Sequence, residues 1–195
     1  MRWFWIDRFT EFESGRRATA VKNVSLAEEH LHDHFAGQAV MPNTLIIEGL
    51  AQTGGLLVGE KNQFLERVVL AKLSSAKFSR PAFPGDQLVY RAVIEDIRED
   101  GALVHCTSHV GDELQAEVEM FFAHLDHRQD QDLFEPDDFL AMLKMLRLYE
   151  VGKLPDGQPL PVPPHLAAAE SANASQPWPR GPALPAPYAP SRTTS

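Results

Sequence analysis

Cysteine is nearly missing from this 195-residue chain. The single Cys106 excludes an intrachain disulfide and fits a reducing compartment. It stands inside an apolar alternation and reads as a small core residue. Positive charge is also scarce: 18 Lys and Arg against 27 Asp and Glu leave a net charge of −9. A general nucleic-acid binder needs a net basic footprint, so that class is excluded, although a local basic patch is not. No apolar run is long enough to span a membrane. The best stretch, 38–59, contains Pro42, Glu48 and Gln52, whereas a span needs about 20 mostly apolar residues. No export signal is evident either, because Asp7 and Arg8 interrupt the aromatic start before an apolar core can form. The expectation is a cytoplasmic protein. Proline is rare in the first 154 residues, where only Pro42, Pro81, Pro84 and Pro136 occur, and crowded afterwards. From 154 to 195 the Pro, Ala and Ser content predicts a disordered tail.

What is present centres on residues 34–52, HFAGQAVMPNTLIIEGLAQ, a histidine-bearing loop feeding an apolar helix. The helix is predicted over about 43–61, with Asn43 as N-cap because its side-chain oxygen can accept from an orphan N–H of the first turn. A helix apolar on nearly all sides belongs in the middle of a core. Glu48 is then anomalous: with no Lys or Arg within two turns, a carboxyl in such surroundings tends to hold its proton. Gln52, one turn on, shares its face and can orient it. Gly49, Gly54 and Gly55 each weaken the helix by about 1 kcal/mol relative to Ala, which predicts close approach by another backbone, such as a subunit contact.

Strands are predicted at 3–12 and 17–24 around Ser14-Gly15, within 64–78, and at 87–97, 102–110 and 113–125. The last three are separated by Glu99-Asp100-Gly101 and Gly111-Asp112, and their period-two pattern is that of a half-solvated antiparallel sheet. The aromatic start, Trp3-Phe4-Trp5, is read as a cover over one sheet edge. One long helix with five or six strands gives an α+β domain over 1–126. Residues 127–153 form an appendage in which 137–150 carries a helical stripe of Phe139, Met142, Leu143, Leu146 and Tyr149.

The stretch His34-Phe35-Ala36-Gly37, Val40-Met41-Pro42-Asn43, Leu45, Glu48 and Ala51-Gln52 resembles the signature HFPGxPxMPGxLxxEAxAQ of the FabZ-type β-hydroxyacyl-acyl carrier protein dehydratases. The resemblance extends over about residues 3–125, including KFSRPAFPGDQL. Ala36 and Ala39 stand where the family has prolines, which loosens the loop presenting His34, and Asn43 stands where it has glycine. The resemblance implies a hot-dog fold, an antiparallel sheet wrapped around a long central helix. It also implies a homodimer or a trimer of dimers with the active site at the subunit boundary. In the family the His comes from one chain and the Glu from the other. Spacing alone leaves same-chain pairing open, since the nine residues from 34 to 43 can reach roughly 30 Å if extended.

The implied activity is that of a hydro-lyase of fatty acid biosynthesis, converting 3-hydroxyacyl-acyl carrier protein to the trans-2-enoyl product. His34 is the candidate base. Glu48 is the candidate acid. The Asn43 amide at the helix start is a donor to the thioester oxygen. Phe35 and Gln52 are expected beside the substrate. No metal or organic cofactor is required, the substrate riding on the phosphopantetheine of an acyl carrier protein. Lys72, Lys77 and Arg80 are candidates for meeting that acidic carrier. The string His30-Leu31-His32-Asp33-His34 is one residue short of the HxHxDH pattern of metallo-hydrolases and reads as a polar connector, because zinc needs three or four ligands in fixed geometry. Two alternatives share the scaffold: an acyl thioesterase, and a non-catalytic acyl-binding subunit.

Overall fold

The structure, a computed structural model, describes residues 4–35, 37–125 and 136–174. Trp3, Ala36, the start of the predicted appendage at 127–135 and the end of the predicted tail at 175–195 lie outside the described residues. The elements in chain order are β1 (Arg8–Glu13), β2 (Arg17–Asn23), α1 (His30–Asp33), α2 (Asn43–Lys61), β3 (Arg67–Phe78), β4 (Gln87–Ile97), β5 (Gly101–Val110) and β6 (Glu113–Leu125). They are followed by α3 (Pro136–Met145), α4 (Leu148–Val151), β7 (Gly152–Lys153) and α5 (Pro164–Ala174).

Seven strands form one sheet in the order β3-β6-β5-β4-β2-β1-β7. All neighbours are antiparallel except β1 and β7, which run parallel. The β1–β2 hairpin turns at Gly15, whose φ of +67° is a conformation glycine adopts without steric cost. On the inner face Ala20, Tyr90, Ala92, Val104, Cys106, Val118 and Met120 are buried together with Ile46, Leu50 and Leu57 of α2. Each Val, Leu, Ile or Met among them contributes about 1.5–3 kcal/mol when removed from water. The long helix packed in the curve of an antiparallel sheet is the hot-dog fold.

Three expectations are corrected. The first strand begins at Arg8, and residues 4–7 instead cross α2 rather than covering a sheet edge: a Cβ on Gly49 would lie 2.8 Å from the carbonyl oxygen of Trp5. Gly49 thus meets the backbone approach expected of the helix glycines, here from within the chain, and the Phe122 ring fills the space at Gly54 and Gly55. The helix predicted over 137–150 is broken into α3 and α4 at Arg147, whose φ is +59°. The predicted tail is ordered from 154 to 174: Lys153 bridges Pro159, α5 packs on α3, and Leu160 and Leu166 are buried in the common core. Pro and Ala dominate that segment, yet its few large apolar residues, Leu160 and Leu166 buried and Leu154 and Val162 partly so, reach the core.

The appendage closes the β1 margin of the sheet. Phe12 pairs Gly152, and Ser14 donates its N–H to the carbonyl of Lys153 at 2.9 Å. Leu140, Leu143 and Leu148 are fully buried, and Phe139 meets Phe64 edge-on at 5.1 Å. At the opposite margin the twelve-residue β3 is the terminal strand among the described residues, with Leu70 and Leu73 each 41% exposed. No described helix is long and apolar enough to cross a membrane.

Candidate active site

Pro42 fixes where α2 starts. Its φ of −57° and ψ of 133° make it the N-cap, and no side chain caps the helix. Asn43 is therefore the first helical residue, which corrects its expected capping role. Its N–H belongs to the first turn, whose amides have no acceptor inside the helix and carry the positive end of the helix dipole. The loop before it is tied to the RPAFPGD segment through the Met41 N–H, which donates to the Ala82 carbonyl at 2.9 Å, both residues being buried. That segment turns at Gly85, φ +95°, with the Asp86 carboxylate accepting from the Phe83 N–H and from Arg80 Nη2 at 2.9 and 3.0 Å.

These two segments enclose a cavity of about 510 Å³ lined by His34, Phe35, Val40, Met41, Pro42, Asn43, Thr44, Phe78, Ser79, Arg80 and Pro81. His34 follows α1 directly, donates its N–H to the His30 carbonyl at 3.3 Å, and stands edge-on to the Phe35 ring at 4.4 Å. Both side chains are open to solvent. A second cavity of about 470 Å³, lined by Phe35, Gln38, Ala39, Val40, Pro81 and Phe83, shares three of those walls. His34, Phe35, Asn43 and Arg80 are thus brought together.

Glu48 is not in that cavity. It lies five residues beyond Asn43, about 7.5 Å along the axis and 140° around it. The carboxyl is exposed, on a stripe of α2 that runs through Thr44, Glu48, Gln52 and Gly55 with Ile47 and Leu56 half-buried beside it. This corrects the expectation of a carboxyl desolvated by its own helix, because the apolar faces of α2 turn inward and leave Glu48 on the open one. Gln52 does not line the cavity either. Its Nε2 donates to Glu48 Oε1 at 3.0 Å, and its Oε1 accepts from the backbone N–H of Trp5 at 2.9 Å.

Two of the three cationic candidates stand beside carboxylates. Arg80 pairs with Asp86 and with Glu113 at 3.3 Å, and Lys77 stands 4.0 Å from Glu117, while Lys72 lies on the exposed β3 edge. His30 meets the Trp5 ring edge-on at 5.1 Å, and burial pushes its pKa below the ordinary value. Among the described residues no group of three or more His, Cys, Asp or Glu is placed to hold a metal ion. Sequence reasoning passed over Phe78 and Pro81 as cavity walls, although they fall inside the KFSRPAFPGDQL resemblance, and over the Trp5 amide, for which a main-chain contact gives no residue-type signal.

A model of the FabA-like domain matches residues 3–118. The chain belongs to the FabA-like family. Among curated members, a 3-hydroxyacyl-[acyl-carrier-protein] dehydratase FabZ of Symbiobacterium thermophilum is 40% identical over 122 residues, 62% of this chain and 86% of that protein. Its counterpart in Pelotomaculum thermopropionicum is 38% identical over 119 residues, 60% of this chain and 85% of that protein. The match to the FabA-like family ends at residue 118, so the appendage of α3, α4, β7 and α5 lies beyond it. Among solved structures, smu.793 of Streptococcus mutans superposes with TM-score 0.53 at 17% identity, over 66% of this chain and 96% of that one. A thioesterase of Haemophilus influenzae does so with TM-score 0.52 at 12% identity, over 64% and 81%. At those identities the likeness is one of fold.

Proposed function

We propose that the chain is a hydro-lyase that removes water from 3-hydroxyacyl-acyl carrier protein to give the trans-2-enoyl thioester in fatty acid biosynthesis. The observation that carries this reading is the shared cavity of His34 and the α2 N-terminus, within the residues that the FabA-like family model matches. The thioester carbonyl accepts from the Asn43 N–H, where the helix dipole favours developing negative charge. His34 takes the α-proton. The electron pair of that C–H bond becomes the double bond as the β C–O bond breaks, and the hydroxyl leaves as water with a proton from Glu48.

In this reading Glu48 comes from a second copy. Within one chain the carboxyl is exposed and is not among the walls of the His34 cavity, and the open stripe of α2 together with β3 as a terminal strand supports a two-fold pairing of sheets. The acidic carrier would approach at Lys72, Lys77 and Arg80, and its phosphopantetheine would bring the substrate with no metal or organic cofactor taking part.

The test is ultraviolet monitoring of enoyl thioester formation with 3-hydroxyacyl-carrier substrates of four to sixteen carbons. Formation of the enoyl product is expected. Release of free thiol without enoyl product would replace the reading with a thioesterase.

A further inference from the structure

Residues 4–7 belong to no strand or helix, yet their main chain is held firmly. Ile6 is buried in the core, and the Asp7 N–H donates to the Val21 carbonyl at 2.7 Å. The Asp7 carboxylate accepts from the Asn23 N–H and from Asn23 Nδ2 at 2.8 and 2.7 Å, with the buried Lys22 ammonium 3.8 Å away. Trp5 lies against His30. This strap can cross α2 only where the helix has no side chain, since a Cβ on Gly49 would sit 2.8 Å from the Trp5 carbonyl oxygen and 2.5 Å from the Tyr90 ring.

The crossing has a chemical result. A backbone N–H can only donate, so the end of the Gln52 carboxamide facing Trp5 must be its oxygen, and the observed 2.9 Å contact is of that kind. The other end must then be the NH2, which donates to Glu48 Oε1 at 3.0 Å. Without the Trp5 donor the carboxamide could turn over and present an acceptor to Glu48 instead. We propose that the main-chain amide of Trp5, acting through Gln52, is a positioning device for Glu48. It keeps Oε1 as the hydrogen-bonded acceptor and leaves Oε2 as the oxygen available for the proton transfer assigned to Glu48. Trp5 and Gln52 are positioning residues in this proposal, acting through Glu48. The role of that proton rests on the dehydratase reading, whereas the relay itself does not.

The experiment compares the wild-type protein with Trp5→Pro, which removes the N–H, and Trp5→Phe, which returns it. Two quantities are read: kcat and KM for a 3-hydroxybutyryl-carrier thioester, and the Gln52 side-chain NH2 signals in the ¹H–¹⁵N spectrum of the ligand-free protein. Trp5→Pro is expected to lower kcat at least tenfold with KM within twofold, and to move the NH2 signals. Trp5→Phe restores both. Wild-type kcat and unmoved signals in Trp5→Pro would overturn the proposal. Should Trp5→Pro fail to fold, Gln52→Glu replaces it, since it still accepts from Trp5 but has no NH2 for Glu48. The same loss of kcat is expected, and wild-type kcat would overturn the proposal. If the wild-type protein forms no enoyl product, the dehydratase reading falls, and the NH2 signals alone decide the relay.

Discussion

Phe9 on β1 donates its backbone N–H to the carbonyl of Leu146 at 2.8 Å, so the segment between α3 and α4 serves as a hydrogen-bonding partner for the outer strand of the sheet. The leucines around that contact are fully buried. Leu140→Ala is expected to lower the unfolding free energy by about 2–5 kcal/mol through lost burial and the cavity left behind. Urea denaturation followed by circular dichroism measures it, and a loss below about 0.5 kcal/mol would mean that the appendage is not part of the cooperative unit.

Polar contacts on the same appendage should matter far less. Lys144 bonds both carboxylate oxygens of Glu170, joining α3 to α5, but both side chains are about half exposed. Exposed pairs of this kind contribute about 0–1 kcal/mol. Glu170→Ala should therefore leave the urea midpoint nearly unchanged, while Leu166→Ala, at a buried position of the same helix, should lower it clearly.

Glu60 near the end of α2 is buried, and burial raises its pKa above the ordinary 4.5 against the opposing effects of a hydrogen bond from Ser14 and the charge of Lys61. A raised folded pKa means that its contribution is fully present below about 4.5 and is lost as pH rises through the folded value. At neutral pH the ionised carboxylate is then a cost to the fold. Glu60→Gln should be more stable than wild type at pH 7.5, with the advantage shrinking towards pH 4.5. Parallel urea titrations at the two pH values measure this, and an equal difference at both would contradict it.

The proposed chemistry gives a fourth expectation. His34→Ala and Glu48→Gln should each reduce turnover by about 10²-fold or more, the usual range for a lost acid or base, while far-ultraviolet dichroism stays that of wild type. Mixing the two inactive variants adds a sharper check. If the pair is shared between subunits, heterodimers rebuild one intact site and activity returns; if it lies within one chain, the mixture stays inactive.

Much of this architecture was legible in the sequence, for reasons that differ by element. The bounds of α2, β4 and β6 match the pattern because Pro42, the Pro84-Gly85 turn and the Gly111-Asp112 turn punctuate strong periodicities. The His34, Phe35 and Asn43 cluster followed from a motif whose spacing survives the loss of two prolines. The exposure of Glu48 was not legible, because an apolar stretch reads the same whether it fills a core or faces another subunit. Nor was the Trp5 contact, since every residue has an amide and only the crossing at Gly49 selects this one. The order of 154–174 escaped because composition averages over a segment, while Leu160 and Leu166 act as single anchors.

The two margins of the sheet are unequal, and that inequality governs growth. Strand addition can proceed only where N–H and C=O groups are unpaired, and the β1 side has β7 in that place. Should two molecules join antiparallel along β3, the strand left at each outer margin of the joined sheet, among the described residues, would be β7, two residues long and with Lys153 already bridged to Pro159. So short a border is a poor template, and a chain whose other edge strand has twelve residues is thereby disposed to stop at a pair rather than grow into a ribbon.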